Sequence, residues 1–241
     1  INTLLDKGSD PENFDPSISD LKKLASSGIY FQSGYLPFES ALTARIGTDN
    51  LRITDTSAGI KPLTGTHHHN HSHEGQCDDT ADPHIWTSPR NAKIIAHNML
   101  STLIEIDSVN AEEYKANYRQ LEKSLDKADS TITAMLDTVT QRSFVVWHPS
   151  LSYFAKDYGL EQIILGADNK ELSVESLKNT IDEIRHHHAT VMFIQPDMDY
   201  GRSQIIAAQA NVPVETINTA SYDFINELVR IAGLIGSPKK H

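Results

Sequence analysis

Between Tyr114 and Met135 the apolar positions Tyr114, Tyr118, Leu121, Leu125, Ala128, Ile132 and Met135 fall at alternating spacings of four and three. That is the period of one helix face. It predicts an unbroken helix over 110–139, with Asn110 as its cap and Glu113 in the capping-box position. A helix of about 28 residues is about 42 Å long, too long for one lobe, so it reads as a strut joining two. Beyond it the pattern alternates. Apolar runs at 143–147, 162–165, 191–194 and 214–217 read as strands, and 151–158 (ended by Gly159), 173–188, 203–210 and 222–235 as helices. Such alternation implies a parallel sheet with helices on both faces. Ahead of the strut the signals are weaker. Residues 1–5 and 28–31 read as strands, and 36–46 as a helix. Pro16 or Ser17 opens a helix with Ile18, Leu21, Leu24 and Ala25 on one face. Ser88-Pro89 opens another, with Ala92, Ile95, Ala96, Met99, Leu100 and Leu103 inward. Residues 51–60 show no assignable period.

Composition narrows what such a chain can do. Its 241 residues, 39% hydrophobic and 22% charged, are enough for two lobes with cores of their own. The net charge of −11, with no basic stripe, excludes nucleic acid as a partner and suits a protein that attracts cations. No apolar run approaches the roughly 18 residues of a membrane span. No secretory signal is visible, and the chain opens on Ile1 rather than Met, which reads as a mature or trimmed chain. The single cysteine, Cys77, rules out an internal disulfide; its place in a polar run makes it either a soft ligand or an incidental loop residue.

Six of the twelve histidines lie within residues 66–89. Five of them, His67, His68, His69, His71 and His73, sit in a polar stretch with no period, so 65–80 reads as a long loop. Neutral imidazole is a common ligand for borderline-soft divalent metals, and a short His-rich tract is a compositional metal signal. The next histidine, His84, stands instead in the ordered-looking Asp82-Pro83-His84-Ile85-Trp86-Thr87-Ser88-Pro89. A loop that collects metal beside a fixed histidine points to capture and hand-over. In parallel sheets ligands bind beyond the carboxyl ends of the strands. His148, Gln195 with Asp197, and Asn218 each follow a predicted strand there. His186, His187 and His188 close a helix, where cationic side chains favour the negative dipole end, and read as surface residues, as does His97. His71-Ser72-His73-Glu74 lacks the Asp-His pair that would make it a metallohydrolase motif. The sequence carries no nucleophile elbow, phosphate loop or dinucleotide fingerprint, and no residue reads as catalytic.

Taken together, these motifs resemble the metal-ion solute-binding proteins of ABC importers, in the zinc-binding branch with a His-rich loop. The likeness covers nearly the whole chain. Asp82 to Pro89 matches the family's first histidine motif, the polar tract sits where that branch carries its loop, and Trp147 to Leu160 resembles the second-lobe motif. The resemblance implies an α/β protein of two lobes, each a mainly parallel sheet flanked by helices, joined by one long rigid helix. The lobes would be 1–109 and 141–241, with 110–140 between them. It implies a cleft with Glu12 and His84 from one lobe and His148 and Asn218 from the other, completed by water, Asp197 or Asp199. Two positions depart from the family's pattern: Glu12 replaces a histidine and Asn218 an aspartate. The family's first strand–helix unit is also missing at the front. The implied cargo is Zn2+, with Mn2+ or Fe2+ less favoured. The implied partner is an importer's membrane permease, the working form a monomer, and the location the periplasm or an extracytoplasmic lipoprotein. A zinc metallohydrolase with a Glu-His-His set and an adhesin-like protein with a vestigial site are the competing readings.

Overall fold

The computed structural model describes residues 1–5, 11–45, 51–64, 81–165, 174–196 and 200–237. Helix α1 (Ile18–Ala25) begins at Ser17, whose hydroxyl accepts from the Asp20 amide while Asp20 reaches back to the Ser17 amide. Leu24 is the buried residue of its apolar face, and Ile18 points into solvent. Strand β1 (Ile29–Gln32), helix α2 (Pro37–Arg45) and strand β2 (Arg52–Asp55) follow. β1 and β2 pair in parallel, Ile29 opposite Arg52 and Gln32 opposite Asp55. A cluster of Leu24, Tyr30, Leu36, Phe38, Leu42 and Leu51 seals this unit. Residues 1–5 form no strand. Their backbone pairs with no strand among the described residues, and Leu4 packs against the same cluster instead.

A 3-10 turn, Ile85–Thr87, leads into α3 (Pro89–Ile106), capped by the Ser88 hydroxyl on the Asn91 amide. A second 3-10 turn, Ser108–Asn110, runs into α4 (Ala111–Leu136). The expected capping box is not formed. Asn110 spends its side-chain amide on the Asp107 carboxylate, and the helix continues from the preceding turn without a side-chain cap. The 26 residues of α4 span about 39 Å. Its buried stripe is Leu125, Ala128, Ile132 and Leu136, whereas Leu121 and Met135 lie mostly toward solvent. α4 packs against both α3 and α8.

The second half alternates as its sequence pattern implies. Strands β3 (Ser143–Val146), β4 (Glu161–Ile164), β5 (Met192–Ile194) and β6 (Val214–Thr216) alternate with helices α5 (Ser152–Tyr158), α6 (Val174–His186), α7 (Tyr200–Ala210) and α8 (Phe224–Gly236). The sheet order is β4-β3-β5-β6, all parallel. Successive strand residues feed two different cores. Phe144, Val146 and Phe193 join Ile132, Phe154 and Ile231 on one face, while Val145 and Met192 join Ile163, Ile184 and Ile206 on the other. Burial of both faces explains why these strands read as continuous apolar runs. Gly159, at φ 62°, ends α5 in the left-handed conformation that a side chain would strain, and Leu160 donates to the Ala155 carbonyl across it.

The chain leaves β3 for β4 on one side and returns past it to β5 on the other. The carboxyl ends of β3 and β5 therefore flank the switch point of the sheet, where ligands bind in this architecture. His148 follows β3 and Gln195 follows β5.

Candidate metal centre

Three expected site residues converge. Glu12, His84 and His148 each offer one ligand atom, all within 4.8 Å of one another. The two imidazole Nε2 atoms are 3.1 Å apart, and Nε2 of His148 and His84 lie 3.1 Å and 3.8 Å from the Glu12 carboxylate oxygens. Ligands about 2.0–2.1 Å from a tetrahedral zinc stand about 3.4 Å from one another, so the three atoms already have the spacing of a coordination shell. The opening beside them is a cavity of about 600 Å³, whose walls include Glu12, Tyr35, Glu39, Asp82, His84 and Pro149.

Local sequence explains how His84 is held. Asp82 precedes it by two residues, and Asp82 Oδ1 accepts both the His84 backbone amide at 2.9 Å and His84 Nδ1 at 2.8 Å. A carboxylate can only accept, so the ring proton sits on Nδ1 and the Nε2 lone pair faces His148 and Glu12. His84 and Asp82 are both buried. Burial alone would raise the Asp82 carboxyl, but the hydrogen bonds it accepts from His84 hold it below the usual carboxylate range. His148 reaches the site from the other half, on the turn between β3 and α5.

Several contacts around these three side chains join the two halves. The Trp86 indole donates to the Thr219 carbonyl at 2.9 Å, and its ring stands 5.4 Å from that of His84. Gln195 donates to Ser150 and Thr219. The Tyr153 hydroxyl donates to the Asp82 carbonyl at 2.9 Å and accepts from the Leu63 amide at 3.1 Å. Burial pushes that phenol up to about 12, so it stays a donor at physiological pH. Ser88 donates to the Asp157 carboxylate, while Arg90 donates to the Asp157 backbone carbonyl and pairs with Asp129. Burial raises Asp157 above the usual carboxylate range. Glu39, 5% exposed in the cavity wall, accepts from the Ser33, Gly34 and Leu36 amides.

Asn218 stands at the exit of β6, as the sequence pattern implies. Its amide donates to Glu227, and its Oδ1 accepts from the Ala220 amide, closing a tight turn. Asp197, Asp199, Cys77 and the loop histidines His67, His68, His69, His71 and His73 lie outside the described residues. His187 pairs with Glu161 at 2.8 Å on the surface, away from the cleft. The orienting role of Asp82 and the contacts of Tyr153 were not read from the sequence. The first could have been, because an aspartate two residues ahead of a ligand can fold back on its amide. The second, between residues 71 positions apart, could not.

The family profile for the periplasmic zinc-uptake complex component A, ZnuA, matches residues 1–227. Zinc-binding protein AdcA of Streptococcus pyogenes is 24% identical over 90% of this chain, and the chain spans 45% of AdcA's length. The high-affinity zinc uptake system protein ZnuA of Bacillus subtilis is 22% identical over 91% of this chain and 71% of its own. A crystal structure of ZnuA superposes with TM-score 0.84 at 29% identity, covering 97% of this chain and 88% of the other. A zinc-bound ZnuA deletion mutant superposes with TM-score 0.83 at 29% identity, covering 99% and 88%. The cadmium-bound periplasmic metal binding protein of Candidatus Liberibacter asiaticus shares the fold at 20% identity, TM-score 0.80, over 97% and 88%.

Proposed function

The chain belongs to the ZnuA family of periplasmic zinc-uptake components, and from that premise we propose that it captures Zn2+ outside the cytoplasm and delivers it to the membrane permease of an ABC importer. The family is one of metal-binding transport components, not of enzymes, which sets the metallohydrolase reading aside. The observation that carries the proposal is the convergence of Glu12, His84 and His148 from distant parts of the chain on one point. Three protein ligands of this type leave one position for water or a further group, with Asn218, Asp197 and Asp199 the candidates. A vestigial site would not keep a buried carboxylate orienting His84, so the adhesin-like reading is disfavoured.

We divide the chain into a first metal-binding lobe over 1–109, a connecting helix over 110–140 and a second lobe over 141–241. The working unit is a monomer, secreted to the periplasm or held outside the cytoplasmic membrane as a lipoprotein. Among the described residues no helix is long and apolar enough to cross a membrane. The loop histidines gather metal weakly and pass it to the cleft. Two imidazole nitrogens favour zinc over the harder manganese or ferrous ions. The Glu12 carboxylate, a hard oxygen donor, keeps manganese as the second cargo to test.

The test deletes residues 66–76, dialyses the protein against a moderate chelator and counts retained metal. One zinc per chain is expected. None retained would place the metal in the loop and overturn the cleft reading. A competition series with Zn2+ and Mn2+ on the same variant then ranks the cargo.

A further inference from the structure

A small apolar cluster lies behind the candidate metal centre: Ile60, Ile85 and Tyr153, with Tyr35, Leu63, Trp86, Ile94 and Ile95 packed against them. Every member but one comes from the first 95 residues. The exception is Tyr153, at the start of α5, which is 3% exposed and inserts its ring into the first half's packing. Its hydroxyl meets two backbone groups there, the Asp82 carbonyl and the Leu63 amide. Those groups belong to one paired segment, because the Asp82 amide donates to the Leu63 carbonyl at 2.8 Å and Thr64 bridges Ala81.

The same hydroxyl therefore touches the residue whose carboxylate aims His84. Tyr153 is also only five residues beyond His148, in the first turn of the helix that the β3–α5 connection leads into. We infer that Tyr153 is a positioning residue for the metal centre, whose hydroxyl fixes Asp82, and through it His84, in register with His148. A phenol anchored at both ends by backbone defines distance more tightly than ring packing alone, since hydrogen bonds are directional. The 3.1 Å separation of the two Nε2 atoms is what this register sets. The inference rests on the reading of Glu12, His84 and His148 as ligands.

Tyr153→Phe keeps the ring and removes the hydroxyl. Loss of groups that orient ligands weakens metal affinity about 10- to 100-fold, so Zn2+ affinity, measured by chelator competition, should fall at least about tenfold. The ligand-field absorption of the Co2+-loaded variant should shift, because the geometry of the shell changes. Ile60→Val, which loosens the same cluster without touching the hydroxyl, should change neither reading. In an Asp82→Asn background, adding Tyr153→Phe should cost less than about twofold more, since both act through one path. Unchanged affinity and spectrum in Tyr153→Phe, equal losses in Ile60→Val, or additive losses in the double variant would each overturn the inference. For a variant too unstable to titrate, the zinc-induced rise in Tm is compared, and a rise equal to the parent's overturns it equally. Failure of the parent chain to bind Zn2+ would instead sink the proposed function, and this inference with it.

Discussion

Asp82→Asn removes the charge that orients His84. The Asp82 carboxylate accepts from the backbone and the ring of His84, at 2.9 and 2.8 Å. The side chain is buried, so neither bond is replaced by water. An asparagine of the same shape keeps one carbonyl oxygen for these donors but loses the charge. A hydrogen bond with a charged partner contributes about 1.5–3 kcal/mol against about 0.5–1.5 for a neutral one. The difference of about 1–1.5 kcal/mol corresponds to a five- to fifteen-fold loss of Zn2+ affinity. Chelator-competition titration on the loop-deleted chain reads this directly. The metal-free protein supplies a second readout. Because the folded state holds the Asp82 carboxyl below its ordinary value, its contribution to stability is present above the ordinary carboxylate range. That contribution is lost as pH falls through the folded value. The stability gap between parent and Asp82→Asn should therefore close in acid. An affinity within twofold of the parent's would refute the orienting role, and a gap that widens in acid would refute the assignment of its charge.

Two further outcomes follow from the same geometry. Gly34 sits at φ 92°, where an added Cβ would lie 2.6 Å from Ser57 Oγ and 2.7 Å from an Asp55 oxygen. Gly34→Ala should cost about 2 kcal/mol in urea unfolding, and a loss below 0.5 kcal/mol would contradict the backbone requirement. Asp157 is held above the ordinary carboxylate range by burial, so its ionisation opposes folding as pH rises past that range. Asp157→Asn should raise the Tm of the metal-free protein at neutral pH, with the gain fading as the parent carboxyl protonates in acid; a lower Tm at neutral pH would reverse the sign.

Much of this was legible because burial leaves a pattern. The strands of the second half are covered on both faces, so their sequences are uninterrupted apolar runs, and Gly159 marks a helix end by its conformation. The start of α1 was read only as Pro16 or Ser17, and the capping box of Ser17 with Asp20 that fixes it was not foreseen. Where a decision depended on distant partners, the pattern was silent or misleading. β2 carries Arg52, Thr54 and Asp55, and only pairing with β1 identifies it as a strand. Residues 1–5 are apolar enough for a strand but pair with none among the described residues. The stripe of α4 drifts, so that Leu136 is buried where Met135 was expected. Of the site, His84, His148 and Glu12 followed from motif and resemblance. Tyr153 did not, because its role exists only once the two halves meet.

The placement of the two tryptophans gives the molecule an optical property. They are the only indoles in the chain. Trp86 stands tilted against His84 and bonds to Thr219, while Trp147 immediately precedes His148 and lies under the Arg202 guanidinium, 5.8 Å from the ring centre. Each half thus carries one indole beside its own histidine. Emission from the unlabelled protein is consequently a local gauge of cleft polarity, and replacing either indole with phenylalanine separates what the two sides of the cleft contribute to the signal.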